Sequence, residues 1–156
     1  MSTVRKARLS DVPVLFKLVN QYAQENVTLP RALPDLYENI WEFTVAELEG
    51  RVVACGALQI YSEELAEIRS LCVDSNCKAG GIGRAVTSEL VREAKQFGLK
   101  RVFALTLVPG FFSKMGFYRV ERDAMPLKVW RDCLKCEKYF RCDEKAMVFD
   151  LDKLPE

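Results

Sequence analysis

The sequence predicts an α+β fold, a mixed and mostly antiparallel central sheet flanked by helices in the three-layer manner of α/β proteins. Three observations carry that prediction. At 156 residues the chain has the length of one domain with its own core, spanning residues 1–156. β-rich runs come first, at 3–8, 41–48 and 52–61, the last two joined by Glu49-Gly50-Arg51, which suits a hairpin. A strand, a helix and another strand then follow at 66–73, 83–97 and 101–107, a βαβ order that requires a crossover and so a parallel pair.

The remaining elements follow from local chemistry. Ser10 or Asp11 caps a helix with Pro13 in its first turn, and Leu15, Leu18, Val19 and Tyr22 repeat behind it at helical spacing. Residues 26–39 hold Pro30 and Pro34 and read as a loop with a short helix. In the helix at 83–97, Val86, Leu90, Val91 and Ala94 form one apolar stripe, and Gly98 supplies the stop. A short helix is expected at 110–115 and strands at 117–120 and 145–151. The sequence holds no internal repeat and no low-complexity segment.

Composition removes whole classes of function. Apolar residues make up 49% and charged residues 29%, the balance of a folded soluble domain. Lys and Arg total 23 against 22 acidic residues, a balance that argues against binding an extended nucleic-acid backbone and gives no support for a membrane-surface role. There is no histidine, which excludes Ser-His-Asp and Cys-His nucleophiles, His-ligated zinc hydrolases and imidazole proton shuttles. Arg5, Lys6 and Arg8 have no apolar segment behind them, no window approaches a membrane span, and six cysteines without a leader suit reduced thiols; a cytoplasmic protein is expected.

The chemistry concentrates after the strand at 66–73. Asp74-Ser75-Asn76-Cys77-Lys78-Ala79-Gly80-Gly81-Ile82-Gly83-Arg84 leads directly into the amphipathic helix. Glycines let the main chain approach a ligand, the helix start offers N–H groups and a positive dipole end, and Lys78 and Arg84 add charge. The pattern suits either a cradle for a phosphate or pyrophosphate or a glycine-rich turn that only joins strand to helix. It is not a Walker loop, because Gly83 is followed by Arg84-Ala85 and not by Lys-Ser/Thr. Nor is it a Rossmann fingerprint, because Val86 stands where the third small residue belongs.

With its flanks included, the segment resembles the GCN5-related N-acetyltransferase (GNAT) family. The residues that carry the resemblance are Ala66-Glu67-Ile68-Arg69-Ser70-Leu71-Cys72-Val73, then Lys78-x-x-Gly81-x-Gly83, then Phe112-x-x-x-Gly116-Phe117. The family reads Gln/Arg-x-x-Gly-x-Gly/Ala after its fourth strand and a Tyr-x-x-x-Gly-Phe-like element after its fifth. The resemblance covers residues 3 to about 120 and implies the acyl-CoA N-acyltransferase fold and acetyl-CoA as cosubstrate. It carries cofactor binding onto Leu71, Cys72 and Val73, onto Lys78, Ala79, Gly80, Gly81, Ile82, Gly83 and Arg84, and onto Phe112. Two positions depart from the pattern: Lys78 keeps the charge of the usual Gln or Arg, and Phe112 lacks the hydroxyl of the usual tyrosine. A phenyl ring cannot protonate a departing thiolate, which leaves water or Ser113 for that task. The segment 125–136 with 142–147 is similar to short stand-alone N-acetylglutamate synthases, which acetylate L-glutamate or sometimes glutamine in the arginine pathway.

Acyl transfer to an α-amine needs a neutral nitrogen, so a base must take its proton. Without histidine a carboxylate leads, and the resemblance assigns the role to Glu67, acting through one or more waters, with burial expected to raise its proton affinity. Backbone amides at Leu71 to Val73 are expected to face the developing oxyanion, each such donor being worth about 3 kcal/mol. Cys72 could carry an acetyl group in a ping-pong route, but no base is evident beside it, and a small packing thiol is the preferred reading, as for Cys55. Strand alternation puts Arg69 on the Glu67 face, where a guanidinium suits a carboxylate of an amino-acid acceptor or a structural ion pair. Lys128 and Lys145 are further candidates for a second carboxylate.

Residues 121–144 form a long, charged and aromatic substrate-side loop region. Cys133, Cys136 and Cys142 supply three thiols where zinc takes four ligands, so no metal is assigned. The expected partner is a small-molecule amino acid, with no nucleic acid and no membrane, and the resemblance admits a homodimer. Two other readings stay open. One keeps the reaction and changes the acceptor to a polyamine, an antibiotic amine or a protein N-terminus. The other is a non-catalytic acetyl-CoA-binding sensor, kept open by Phe112.

Overall fold

The computed structural model describes residues 2–24, 31–121 and 145–153, with the side chains of residues 22–24, 78, 79 and 153 outside that description. Among the described residues seven strands form one sheet in the order β1-β2-β3-β4-β5-β7-β6, where β1 is Ser2–Lys6, β2 Phe43–Leu48, β3 Arg51–Ile60, β4 Leu65–Val73, β5 Arg101–Thr106, β6 Tyr118–Val120 and β7 Lys145–Asp150. The helices are α1, Val12–Gln24; α2, Leu33–Glu38; α3, Ile82–Gln96; and α4, Pro109–Ser113. The strand and helix order matches the one read from the sequence. Two compact units divide along β4, one of Met1–Gln59 with Ile68–Glu93, the other of Ile60–Glu67 with Ala94–Glu156.

In the first unit β1 pairs with β2, and β2 with β3, both antiparallel. The β2–β3 connection is a two-residue turn with positive φ at both Glu49 (53°) and Gly50 (77°), the mirror-image geometry that matches strand twist. A continuous core joins Val12, Leu15, Leu18 and Val19 of α1 to Leu36 of α2, Phe43 and Val45 of β2, Cys55 and Ala57 of β3 and Cys72 of β4. Each fully buried aliphatic side chain contributes roughly 1.5–3 kcal/mol. The start of α1 differs from the expected cap. A 3-10 turn at Leu9–Asp11 precedes it, and the Asp11 carboxylate reaches back to accept from the Arg8 N–H at 2.7 Å and from Arg5 Nη1 at 2.8 Å. The Arg5 hydrogen bond, more than any other influence, holds Asp11 below the ordinary carboxylate range. The sequence alone shows a capping residue here; it does not show that a cation on β1 would claim it.

In the second unit the first residues of β4 run parallel to β5, with Leu65 opposite Arg101, Ala66 opposite Val102 and Glu67 opposite Phe103. That is the parallel pair the βαβ order requires. β7 lies antiparallel to both β5 and β6, so the last strand of the chain separates two strands that precede it. β6 starts one residue later than expected because Phe117 is buried, its N–H donating to the Phe112 carbonyl at 3.1 Å. Among the described residues no helix is long and apolar enough to cross a membrane.

Candidate active site

The turn into α3 is more ordered than the loop expected there. Residues Ser75–Gly80 form a 3-10 helix capped by Asp74, whose side chain accepts from the Asn76 N–H at 3.0 Å. The Asp74 N–H donates to the Val53 carbonyl at 2.7 Å and fixes the turn to β3. Gly81 closes it in the left-handed region, φ 74°, a conformation that favours glycine. The first hydrogen bond of α3 runs from the Ala85 N–H to the Gly81 carbonyl at 3.0 Å, and the N–H groups of Ile82, Gly83 and Arg84 lie ahead of it, with no acceptor inside the helix. Thr87 donates its hydroxyl to the Gly83 carbonyl at 2.8 Å and stiffens this first turn. Ile82 is buried and Arg84 exposed, so the apolar side of the turn anchors while the charged side meets solvent. Backbone donors, a positive dipole end and an exposed guanidinium fit a pyrophosphate.

A residue not singled out from the sequence sets where α3 lies. A Cβ built on Gly56 of β3 would meet Leu90 Cδ1 at 2.9 Å, Val86 Cγ1 at 3.1 Å and Leu71 Cδ1 at 3.3 Å, so glycine there lets α3 approach β3 and β4 closely. The signal was present, a lone glycine inside a strand pattern.

β4 breaks its own alternation. Ser70 has φ 53°, and the burial pattern runs in an unbroken buried stretch from Ala66 to Ile68 before Arg69, Ser70 and Leu71 become half-buried. Arg69 Nη1 donates to the amide oxygen of Gln59, a neutral partner. Close to it in charge lies a cluster that sequence reasoning missed. Arg31 forks onto Asp35 at 2.6 and 3.1 Å, reaches Ser70 Oγ at 3.5 Å and sits 5.2 Å from the Phe43 ring centroid. Asn20 holds the Arg31 backbone at both N–H (2.9 Å) and carbonyl (3.0 Å). Arg31 above all, with a weaker pull from Arg69, depresses the Asp35 carboxyl. Burial pushes the Glu42 carboxyl up, against the opposing attraction of Arg31 and Arg69. Nothing in a proline-flanked loop announces a guanidinium that spans from α2 to β4.

In the second unit Glu67 is buried, with 7% of its surface exposed, and accepts a hydrogen bond from the Tyr61 hydroxyl at Oε1, 2.7 Å away. Phe112 packs edge-on against Phe111 and Phe117, each 5.1 Å between centroids, and Phe117 continues to Phe149 at 5.2 Å. The ring at 112 is therefore a member of an aromatic core. Ser113 is exposed on α4. Lys145 is half-buried at the start of β7, opposite Thr106. Leu71, Cys72 and Val73 lie beyond Glu67, the last β4 residue paired with β5. Cys72 is buried in the first unit's core, and the Cys55 thiol donates to the Ser70 carbonyl at 3.4 Å, the environments of packing thiols. Lys128, Cys133, Cys136 and Cys142 and the side chains of Lys78 and Ala79 lie outside the described residues.

The Acetyltransferase (GNAT) family model matches residues 15–120. The chain belongs to this family. It is an N-acetyltransferase, and family membership makes acetyl-CoA its acyl donor. It is 41% identical over 145 residues to an uncharacterized N-acetyltransferase of Chlorobaculum tepidum, covering 93% of this chain and 94% of that one. It is 40% identical over 139 residues to an amino-acid acetyltransferase of Mycobacterium tuberculosis, covering 87% and 78%. A crystal structure of a Mycobacterium tuberculosis protein in complex with CoA superposes with a TM-score of 0.81 at 34% identity, over 95% of this chain and 98% of that one.

Proposed function

We propose that this GNAT enzyme acetylates the α-amine of an amino acid, L-glutamate before others, by direct transfer with Glu67 as general base. Acetyl-CoA supplies the acyl carbon as a thioester. The turn at Lys78 to Arg84 binds its pyrophosphate through backbone donors, and the amides of Leu71 to Val73 meet the oxygen that becomes negative. Glu67 takes the proton that the amine must shed, directly or through water. Phe112 packs beside the donor without giving a proton, so water or Ser113 returns one to the thiolate, whose pKa near that of a free thiol, about 8.5, makes it an easy leaving group. Arg69 takes a carboxylate of the acceptor, and Lys128 and Lys145 are the candidates for the second one of glutamate.

The observation that carries the acceptor assignment is the similarity to a named amino-acid acetyltransferase of Mycobacterium tuberculosis. Arg69 on β4 adds a guanidinium, a group suited to a carboxylate. This reading places the enzyme at the acetylation of glutamate in arginine biosynthesis, in the cytoplasm.

The test is thiol release from acetyl-CoA with L-glutamate, L-glutamine, other amino acids, spermidine and a short peptide. L-Glutamate is expected to give the highest kcat/KM. Turnover of spermidine or the peptide with every amino acid idle would overturn the acceptor.

A further inference from the structure

Tyr61 is held in place more firmly than its position between two strands requires. Its N–H donates to the Leu65 carbonyl at 2.9 Å, and the Ser62 N–H reaches the same oxygen at 3.3 Å, closing a short turn between β3 and β4. Its ring stacks on Phe103, 5.9 Å between centroids and 30° between planes, and packs against the core formed with Val148. Phe103 is the residue paired with Glu67 across β4 and β5. Packing alone is served as well by phenylalanine. The hydroxyl does something a phenyl ring cannot: it donates to Glu67 Oε1 at 2.7 Å.

We propose that Tyr61 is a positioning residue for Glu67, its hydroxyl holding the carboxylate in the one orientation from which it accepts the amine proton. The inference rests on the reading of Glu67 as the base and deepens it. A glutamate side chain has several rotatable bonds, and a base must lie within hydrogen-bond reach of the proton it abstracts. A phenol donating to a carboxylate makes a short charge-assisted bond, about twice as strong as a neutral one, and it restrains one oxygen in space. Because the Tyr61 ring is fixed by Phe103 and by its own backbone bond, the restraint is anchored to the sheet. No proton leaves Tyr61: the amine N–H proton passes to the Glu67 carboxylate, and the phenol remains a donor throughout. In a chain without histidine this supplies the orienting partner that a carboxylate gives an imidazole elsewhere.

A four-protein cycle tests it: wild type, Tyr61→Phe, Glu67→Gln and the double variant, each assayed for kcat and KM with acetyl-CoA and the most active amino acid of the panel. The ring stack is kept in Tyr61→Phe, so its melting temperature should stay close to wild type. Its kcat should fall about 10-fold with both KM values within about two-fold, and it should cost nothing further in the Glu67→Gln background. A readout without substrate accompanies this: the ¹³C-carboxyl NMR signal absent from Glu67→Gln should move in Tyr61→Phe. An unchanged kcat, an unmoved carboxyl signal, or an equal loss in both backgrounds would overturn the positioning role while leaving the base intact. A fully active Glu67→Gln would remove the base reading itself, and the inference with it.

Discussion

The turn before α3 and the surroundings of Glu67 on β4 are both held in place, but with different materials. The turn is made of main chain: a capped 3-10 helix, Gly81 in the left-handed region, and the leading N–H groups of α3. Its precision comes from dihedral angles fixed over a dozen neighbouring residues. Glu67 and the guanidiniums are instead held by side chains brought together from separate elements, Tyr61 on Glu67, Gln59 on Arg69, Ser70 and Asp35 on Arg31. On the proposed function the turn must fit one invariant cosubstrate, which backbone geometry does well. An acceptor side must distinguish amines and their substituents, which side chains do well. The contrast teaches where specificity can change without losing the acyl donor.

Substitutions should therefore separate the two. Among the substitutions that test this division, the largest effect belongs to Arg69→Met, which removes a charged hydrogen-bond donor. The KM for the amino acid should rise about 10- to 100-fold, the equivalent of about 1.5–3 kcal/mol, while that for acetyl-CoA stays put. A rise in the acetyl-CoA KM instead would break the division. Gly56→Ala drives a Cβ to within 2.9 Å of buried Leu90 and should cost about 1–3 kcal/mol, read as a lower denaturation midpoint. Gly81→Ala faces no steric neighbour but must keep φ at 74°, a cost of about 1–2 kcal/mol. Calorimetry should show weaker CoA binding in this variant, with kcat at saturating acetyl-CoA near wild type.

The smallest effect is one of pH. Burial raises the Glu42 carboxyl above its unfolded value of 4.5. Its contribution to stability is thus fully present below that value and is lost as pH rises through the folded one. Glu42→Gln should be more stable than wild type at pH 7, read as a higher melting temperature, and equal it at pH 4. A variant less stable at pH 7 would mean that Arg31 and Arg69 outweigh the desolvation.

The same contrast decides what the sequence discloses. The strand and helix order, the 49–50 turn and the α3 stripe are local patterns, and each is visible in neighbouring residues. So is the cradle, because a glycine with positive φ and a helix start announce themselves within a few positions. Arg31 on Ser70, 39 residues away, cannot be read that way, nor can Arg5 on Glu47 at 42. Tyr61 and Glu67 are only six apart, yet their contact depends on β5 presenting Phe103 beneath the ring, which no local pattern contains. Phe112 shows the converse. Its motif position suggests contact with the donor, and the structure adds a packing reason for an aromatic ring there, shared with Phe111 and Phe117.

On the proposed function, one proton is accepted at one carboxylate. Glu67→Gln keeps the shape and removes the acceptor, so kcat with acetyl-CoA and L-glutamate should drop about 10²- to 10⁴-fold while the CoA dissociation constant, measured by calorimetry, remains that of wild type. Turnover within about three-fold of wild type would contradict it, and the base would have to be sought elsewhere in the chain.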